Sequence, residues 1–586
     1  MSKKSPANRI LSLACMSAPL LFGMHTADAA SPPEDVHPGW KIVDLRPDNN
    51  FKPMVTGLGF LSDGSLVVGS WGGSHDLLQN RQMKGTVYIL KGVTGSTPSP
   101  QVSTYASGLE DLVGMLVKDD RIYVTGGEKL SELPDSDKNG QAEAAKVIAT
   151  IPGTHYRHEF LFGLAFKDGK FWMAPSSGKP TPGASGILEY HQENPNRGTM
   201  MSVDPATGAY EVYAMGLREP NGVGMGPDNE LFVPDVQGNW LPANKLIHVK
   251  KGKFYGFKHD PPESWDNMTP TPPVVYLPQG DVARAPGGPL YVPFGRYAGQ
   301  MLLGDAVSGG IRRIFLDKVN GEYQGTVFYF AGGFEAGPNR LIWGPDSNLY
   351  VGQCGQGAPD WAYVKDFGLQ KLVPSGRDVF EMLAIRARQG GLEIEFTHEV
   401  NSAALTASNY TVKSWYYNST SAYGGPNMDT KTLQVTAVSQ STDKKSVFLA
   451  INGLQTGRVV NLTLASGIQS STGMSNWTRD TWYTLNALGT SMPFDPVPTA
   501  LSPAKPAAWT SGMGYRAQPG QIELFAKVGG GIQTVEVMDL RGIRVASRDG
   551  QGKTSLTLST SGWAPGLYHV AIRQGGKRTV ETLILP

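Results

Sequence analysis

The chain of 586 residues is poor in cysteine and in charge. It has only two cysteines, and Cys15 lies in an apolar N-terminal stretch. If that stretch is removed, Cys354 is alone, which excludes an internal disulfide and a Cys-x-x-Cys-His haem site. Charged residues make up 18% and the net charge is +1, with no long run of one sign. Nucleic acid and an anionic membrane surface are therefore excluded as main partners.

Long apolar runs are absent after the N-terminus. Two lysines and Arg9 precede the apolar segment Ile10–Met24, which is too short to span a bilayer with its flanks. Ala27-Asp28-Ala29 then fits a small-x-small cleavage site. We predict a signal peptide over residues 1–29 and no transmembrane segment; the alternative is a stray apolar stretch.

Several catalytic signatures are also missing. The sequence contains no Walker loop, no Gly-x-Gly-x-x-Gly in a βαβ setting, no His-Glu-x-x-His and no Gly-x-Ser-x-Gly elbow. The counts of Gly (72) and Pro (42) are high instead, which is typical of many short strands joined by turns.

One pattern recurs along the first two thirds of the chain: a small or apolar start, a Gly/Asp turn and an apolar strand. Copies begin at Gly57, Gly114, Gly163, Gly222, Val282 (the weakest) and Leu341. Each copy reads as two short strands joined by a turn, and the period suits a four-stranded propeller blade. The sequence therefore predicts an all-β protein with a six-bladed β-propeller over residues 30–375.

The pattern changes after the last repeat. Alternating strands predict an Ig-like β-sandwich over 376–488. A Pro-rich linker follows over 489–512, and a small C-terminal β-sandwich is expected over 513–586.

Ligands usually bind at one mouth of a propeller, where the loops that enter the inner strands lie. Polar residues just before the inner strands are therefore the candidate functional residues. His158 lies ahead of the third repeat and is a candidate general base, or else a surface or structural histidine. Arg218 and Arg340 lie ahead of the fourth and sixth repeats and could converge on an anionic ligand. The alternative for Arg218 is a structural salt bridge with Glu219.

Two stretches could bind a hard cation such as Ca²⁺. The polar segment containing Gln237 and Gly238 follows a strand, and its carbonyls could be ligands. Asp135, Asp137 and Asn139 form the start of a calcium loop, but the closing Glu is missing, so a solvated turn is equally compatible.

Residues 216–233, with Asp235-Val-Gln-Gly and Lys253-Phe-Tyr-Gly-Phe after them, resemble the soluble glucose/sorbosone dehydrogenases. Members of that family are six-bladed propellers that bind pyrroloquinoline quinone (PQQ) and Ca²⁺ and oxidise sugars. The resemblance covers residues 40–372. It implies that His158 takes the proton of the sugar hydroxyl and that Gln237 and Gly238 bind calcium.

The same resemblance implies that Arg218 and Arg340 hold the PQQ carboxylates, with Glu219 beside them at the cofactor. Glu219 stands where the family has Asn, and Arg157 stands where it has an acidic residue. The family's Lys has no clear match around Asp305, and no haem domain provides an electron acceptor. The closest likeness is to a divergent branch of large secreted bacterial proteins.

The C-terminal segment, with Val535-Glu-Val-Met-Asp-Leu-Arg-Gly, resembles the sorting domains of type IX secretion. It implies export past the outer membrane with the secretion machinery as a partner; the alternative is an ordinary adhesive sandwich.

The candidate residues and these resemblances together imply a secreted PQQ- and calcium-dependent sugar or alcohol dehydrogenase that uses an external electron acceptor. A non-catalytic propeller that binds glycans, polysaccharide or surface proteins is the alternative, and a calcium-dependent hydrolase is a third.

Overall fold

The structure is a computed structural model. The residues it describes are 35–72, 84–152, 160–177, 196–259, 264–355, 365–494, 513–518, 521–526, 531–539, 544–560, 563, 566–574 and 577–585. The predicted signal peptide and His158 lie outside them.

The described part of the chain is all-β, as predicted. Its only helices are single 3₁₀ turns at Pro227–Asn229, Ser402–Leu405 and Ala407–Asn409. Among the described residues, no helix has the length and apolar character needed to cross a membrane.

The first 24 strands build six four-stranded antiparallel sheets. They are β1 Trp40–Asp44, β2 Met54–Phe60, β3 Leu66–Trp71, β4 Lys84–Lys91, β5 Gln101–Glu110, β6 Gly114–Lys118, β7 Arg121–Gly126, β8 Lys129–Leu133, β9 Lys146–Thr150, β10 Leu161–Lys167, β11 Lys170–Pro175, β12 Thr199–Val203, β13 Tyr210–Met215, β14 Gly224–Met225, β15 Leu231–Asp235, β16 Asn244–His248, β17 Val275–Leu277, β18 Pro286–Tyr291, β19 Met301–Asp305, β20 Ile311–Val319, β21 Glu322–Ala331, β22 Gly337–Trp343, β23 Leu349–Cys354 and β24 Phe367–Pro374.

These sheets form a closed ring of six blades. The inner strands β2, β6, β10, β14, β18 and β22 contact one another in that order, and β22 returns to β2. The N-terminal strand β1 pairs antiparallel with β24 and so completes the sixth blade, with Trp40 opposite Pro374. The first blade is thereby tied to the last, and the six-bladed propeller prediction is confirmed.

The glycines that open the repeats lie where neighbouring inner strands touch. A Cβ on Gly114 would lie 1.9 Å from the carbonyl oxygen of Gly163. Gly163 has a φ of +91°, and its Cβ would lie 2.6 Å from Cγ2 of Val223 in the next blade. Only glycine allows this approach and this backbone conformation. The repeated glycine is therefore a consequence of how closely the blades meet.

The fifth repeat differs from its prediction. Residues from Val282 were expected to form a two-strand unit, but they contain only the inner strand β18. Gly287 and Gly288 lie in a register shift of this strand rather than in a turn, and its hairpin partner is β19. The two glycines let β18 approach Asn221 and Asn339 of the adjoining blades, because a Cβ on Gly287 would collide with both side chains.

A second part of the structure follows the propeller. Its strands are β25 Met382–Arg388, β26 Gly391–Phe396, β27 Tyr410–Tyr416, β28 Met428–Leu433, β29 Val435–Gln440, β30 Ser446–Ile451, β31 Arg458–Leu464 and β32 Asp480–Leu485. They form two four-stranded layers, β25-β26-β30-β29 and β32-β31-β27-β28, around one apolar core. We call this part the sandwich; the Ig-like assignment stays a prediction.

The sandwich continues a propeller blade. The outer strand β21 of the fifth blade pairs antiparallel with β32, with Val327 opposite Trp482, which makes one eight-stranded sheet. A blade's outer strand has unpaired N–H and C=O groups along its edge. The sandwich satisfies those of β21 and covers the edge.

In addition to the β21–β32 pairing, buried polar groups join the propeller to the sandwich. Nη2 of Arg313 on β20 is 3.2 Å from Oε2 of Glu381, which directly precedes β25, and both side chains are 1% exposed. The hydroxyl of Tyr297 also donates to Glu381, and Nε2 of His37 lies 3.4 Å from the same carboxylate. Burial is the largest single effect on the pKa of Glu381 and acts to raise it. The pKa is lowered nevertheless, because the charges of Arg313 and His37 and the hydrogen bonds from His37 and Tyr297 together outweigh burial.

The C-terminal strands form a separate small core. They are β33 Met513–Gln518, β34 Gln521–Ala526, β35 Ile532–Asp539, β36 Arg544–Lys553, β37 Ser555–Ser559, β38 Gly566–Gln574 and β39 Lys577–Leu585. The sheets β33-β34-β37 and β36-β35-β38-β39 enclose an apolar cluster that includes Val535 and Ile572.

Candidate functional site

The loop that enters the fourth blade is fixed through its backbone. Asp235 at the end of β15 is fully buried, and its carboxylate accepts hydrogen bonds from the backbone N–H groups of Arg218 (3.1 Å) and Glu219 (2.8 Å). Burial raises the pKa of Asp235, while the nearby ammonium of Lys245 opposes that shift. Burial in turn lowers the pKa of Lys245 to about 8. Asp235 therefore orients the backbone that carries Arg218.

The side chain of Arg218 is 4% exposed. Its Nη1 donates to Oε2 of Glu219 and to the carbonyl oxygen of Gln237, each at 2.9 Å. Gly238 lies flat against the guanidinium, since a Cβ there would be 2.1 Å from Nε. That Nε is buried and has no hydrogen-bond partner among the described residues. The charge of Arg218 is thus balanced by Glu219, while one of its donors stays unused.

A loop of the sandwich covers this arginine. Residues 417–427 join β27 to β28, and we call them the cap loop. The ring centroid of Tyr423 lies 5.2 Å from Cζ of Arg218, within the range of a cation–π contact. The backbone N–H of Gly424 donates to the carbonyl oxygen of Gly238 at 3.0 Å. Tyr423 remains 42% exposed, so its ring belongs to the outer surface of the site.

The two carbonyls that the sequence proposes as calcium ligands accept hydrogen bonds from protein groups. The carbonyl of Gln237 accepts from Arg218, and that of Gly238 accepts from Gly424. A calcium ion on the Gln237 oxygen would lie within about 5.5 Å of the guanidinium nitrogen, given Ca–O distances of 2.3–2.6 Å. Like charges at that separation repel. In this arrangement the segment does not fit a bound cation.

Arg340 lies at the centre of the ring. Its guanidinium donates to the carbonyl oxygens of Thr56 (2.9 Å) and Val113 (3.1 Å), and to Oδ1 of Asn221 (2.8 Å) and of Asn339 (2.9 Å). These acceptors belong to the first, second, fourth and sixth blades, and none carries a charge. No carboxylate in the described part of the chain pairs with Arg340. Burial lowers its pKa to about 10, so it stays a cation at neutral pH.

Asn221 links the two arginines. It accepts from Arg340, donates from Nδ2 to Oδ1 of Asn339 at 3.0 Å, and lies three residues after Arg218. Neither asparagine is among the site residues predicted from the sequence. The available signal was the dipeptide Pro-Asn, which occurs ahead of the fourth repeat and again ahead of the sixth. Equivalent positions of two repeats meet at the ring centre, so a repeated polar residue there indicates contact.

The lone Cys354 lies close to this centre. Burial raises the pKa of its thiol to about 12, and the charge of Arg340 only partly offsets that shift. The thiol is therefore protonated at neutral pH and is a poor nucleophile.

The second cation candidate lies elsewhere. Asp135, Asp137 and Asn139 lie between β8 and β9. Loops that enter inner strands lie at one end of a blade, and the loop from third to fourth strand lies at the other, because successive strands are antiparallel. The carboxylates accept backbone hydrogen bonds from Asn139 and Gly140 at 3.0–3.2 Å. Across the described ranges, no group of three or more His, Cys, Asp or Glu could hold a metal ion.

The structure therefore brings Arg218, Glu219, Gln237 and Gly238 together at one mouth and links Arg340 to them through Asn221. It separates the 135–139 loop from them. His158 follows β9 and precedes the third inner strand in the chain, but it lies outside the described residues, so its role stays a prediction.

Comparisons with known proteins assign the C-terminal segment. Residues 520–586 match the model of the secretion system C-terminal sorting domain. The protein carries a type IX secretion sorting domain and is directed to the cell surface or the medium. The sequence matches none of the curated proteins.

Solved structures with a similar fold include three propellers. An oxidoreductase from Thermus thermophilus, described as a glucose dehydrogenase, is 17% identical, with a TM-score of 0.41, over 57% of this chain and 100% of that one. The PQQ-bound aldose sugar dehydrogenase of Streptomyces coelicolor is 16% identical, with a TM-score of 0.42, over 58% and 99%. The PQQ domain of pyranose dehydrogenase from Coprinopsis cinerea is 13% identical, with a TM-score of 0.40, over 58% and 96%.

Proposed function

We propose that the protein is a secreted propeller that binds PQQ at the mouth containing Arg218 and Arg340 and oxidises a hydroxyl of a sugar or alcohol. The observation that carries the proposal is the cationic Arg340, whose hydrogen-bond acceptors among the described residues are all uncharged oxygens at the ring centre. A partly buried cation with no opposite charge beside it among the described residues favours an anionic ligand. The resemblance of residues 216–257 to the glucose/sorbosone dehydrogenases gives that anion a chemical identity.

The residues present fit the carboxylates of PQQ better than they fit calcium. Arg340 offers an uncompensated charge, and Arg218 offers the unpartnered Nε. The carbonyls of Gln237 and Gly238, which would bind calcium, already accept hydrogen bonds. Calcium dependence therefore stays a separate proposal, which requires Arg218 to leave the carbonyl of Gln237 and the cap loop to leave that of Gly238.

Bound PQQ would supply a two-electron acceptor for hydroxyl oxidation. The chain's own groups would hold and orient the anion through Arg340 and Arg218, while Asp235 keeps the Arg218 backbone in place. We propose His158 as the base that takes the hydroxyl proton. The protonated Cys354 would not compete as a nucleophile. An external partner would have to accept the electrons.

Isothermal titration of the full chain with PQQ, with and without CaCl₂, tests the proposal. We expect saturable binding that Arg340→Lys weakens, because an ammonium cannot reproduce the planar guanidinium. Arg218→Ala should weaken it further. The exposed Arg121, which lies 3.5 Å from the carboxylate of Glu132, provides the control Arg121→Ala. Equal affinities in all four proteins, or no binding by any, would reject the proposal.

A non-catalytic propeller that binds glycans is the second candidate. It is favoured by the half-exposed Tyr423 and by Trp240, whose ring lies 5.1 Å from Nζ of Lys258 at the same mouth. Aromatic faces of this kind can stack on sugar rings. Trp71 and Trp265 pack instead against Phe160 and His259. A glycan array on which Tyr423→Ala binds as wild type does would remove this candidate.

A further inference from the structure

The cap loop and the proposed ligand use the same atoms. Gly424 donates to the carbonyl of Gly238, and the Tyr423 ring lies over the guanidinium of Arg218. These are the carbonyl and the cation that the resemblance assigns to calcium and PQQ. A ligand cannot reach them while the loop is in this position.

The Tyr417 ring at the start of the loop lies 5.1 Å from that of Tyr276 on β17, and the rest of the loop makes polar contacts with the propeller. The backbone N–H of Trp240 donates to the carbonyl of Thr420 at 2.7 Å, and Nδ2 of Asn239 donates to that of Ser421 at 2.7 Å. The hydroxyl of Ser419 donates to the carbonyl of Trp240, and the N–H of Gly425 donates to that of Pro242 at 3.0 Å.

These contacts differ in kind from those that hold the rest of the sandwich. The sandwich is fixed by the β21–β32 pairing and by the buried Arg313–Glu381 pair. The cap loop has no apolar residue in the buried core, and residues 419–423 are exposed. Short surface segments held by a few hydrogen bonds open locally without unfolding of the body.

We propose that the cap loop is a built-in competitor for the propeller mouth, and that Tyr423 and Gly424 set the affinity of the site by closing over Arg218 and Gly238. The proposal rests on the proposed function for the identity of the ligand. The apparent affinity is reduced by the fraction of molecules in which the loop is open. Loosening the loop therefore tightens binding, and locking it abolishes binding.

One double variant of the full chain can produce both the loosened loop and the locked loop. Asn239 and Tyr423 are directly opposite in an antiparallel bridge, where Cα atoms lie about 4.5–5.5 Å apart and can be joined by a disulfide. In its reduced form, Asn239→Cys/Tyr423→Cys lacks the Asn239 hydrogen bond and the cation–π contact, so the loop is loosened. In its oxidised form, a disulfide joins the loop to the propeller and holds it closed. Asn427→Ala, at the exposed end of the same loop, is the matched control.

PQQ titration with CaCl₂ present is the first readout. The reduced variant should bind roughly tenfold more tightly than wild type, from the loss of one hydrogen bond and one cation–π contact. The oxidised variant should bind more weakly than wild type, with no saturation at PQQ concentrations that saturate the wild-type protein. Equal affinities of the oxidised and reduced forms would overturn the proposal.

Amide hydrogen exchange without ligand is the second readout, and it does not depend on PQQ. The amides of Gly424 and Trp240 should exchange faster than those of β27 and β28, which flank the loop. Equal protection of the loop amides and the strand amides would contradict the proposal that the cap loop opens locally. If the loop amides exchange fast but the reduced variant does not bind PQQ, the proposal that PQQ is the ligand is rejected. The proposal that the cap loop opens and closes over the mouth is then retained.

Discussion

Replacing Arg313 by Ala should loosen the sandwich from the propeller. Its guanidinium is buried at the junction, donates to Oε2 of Glu381 at 3.2 Å and to the carbonyl of Leu383 at 2.9 Å, and lies between two aromatic rings. The ring centroids of Tyr297 and Phe328 lie 4.9 Å and 4.4 Å from Cζ. Without Arg313, the Glu381 carboxylate is left in a site that is 1% exposed.

Breaking a buried ion pair from one side costs about 3–5 kcal/mol, because the remaining charge is uncompensated. We therefore expect Arg313→Ala to lower the free energy of unfolding by about 3–5 kcal/mol. Glu381→Gln should cost about 3 kcal/mol for the same reason. The double variant Arg313→Met/Glu381→Gln buries no charge at this place and should cost less than the sum of the single variants.

The assay is urea unfolding of the full chain, followed by tryptophan fluorescence. Two of the reporting tryptophans lie at the seam: Trp477 donates to the carbonyl of Phe330, and Trp482 is opposite Val327. We expect the single variants to shift the transition to lower urea and the double variant to recover part of the shift. Single-variant losses below about 1 kcal/mol, or strict additivity in the double variant, would refute the reasoning.

Three further predictions test other parts of the structure. Gly163→Val should destabilise the propeller by at least about 1–3 kcal/mol in thermal unfolding, because valine would clash with Val223 and would be held in a left-handed backbone conformation. A change within about 0.5 kcal/mol would contradict the close approach of the blades. Asp235→Ala should cost about 3–5 kcal/mol, since two backbone N–H groups lose their acceptor and the buried Lys245 ammonium loses its nearby opposite charge; a neutral effect would contradict its anchoring role. Hydrogen bonding to Arg296 and His398 lowers the pKa of Asp378 to about 2, so its contribution to stability is present above the ordinary carboxyl pKa near 4 and is lost as the pH falls from about 4 to 2. Because Asp378 is largely exposed, this loss should be below about 1 kcal/mol and absent in Asp378→Asn when unfolding is measured across that pH range.

Much of the fold is predictable from the sequence because its determinants are local and repeated. The glycines at 57, 114 and 163 mark the contacts between inner strands, and the turns that follow mark the hairpins. The fifth blade is the exception, because Gly287 and Gly288 shift the register of one strand and resemble a turn in sequence.

The candidate site is less predictable because its contacts join distant parts of the chain. Arg218 and Arg340 are recognisable from their positions ahead of inner strands. The cap loop is not, since its Ser, Thr and Gly residues read as an ordinary turn, and Ser421 is 182 residues from its partner Asn239. Nothing in the local pattern indicates that this turn lies against the carbonyl of Gly238.

The decisive measurement is a crystal structure of the full chain with PQQ and CaCl₂. We expect a quinone carboxylate against the guanidinium of Arg340 at the propeller mouth, with the hydrogen bond from Gly424 to Gly238 broken and the Tyr423 ring displaced. A mouth without PQQ, or PQQ bound elsewhere while the Gly424–Gly238 hydrogen bond remains intact, would contradict it.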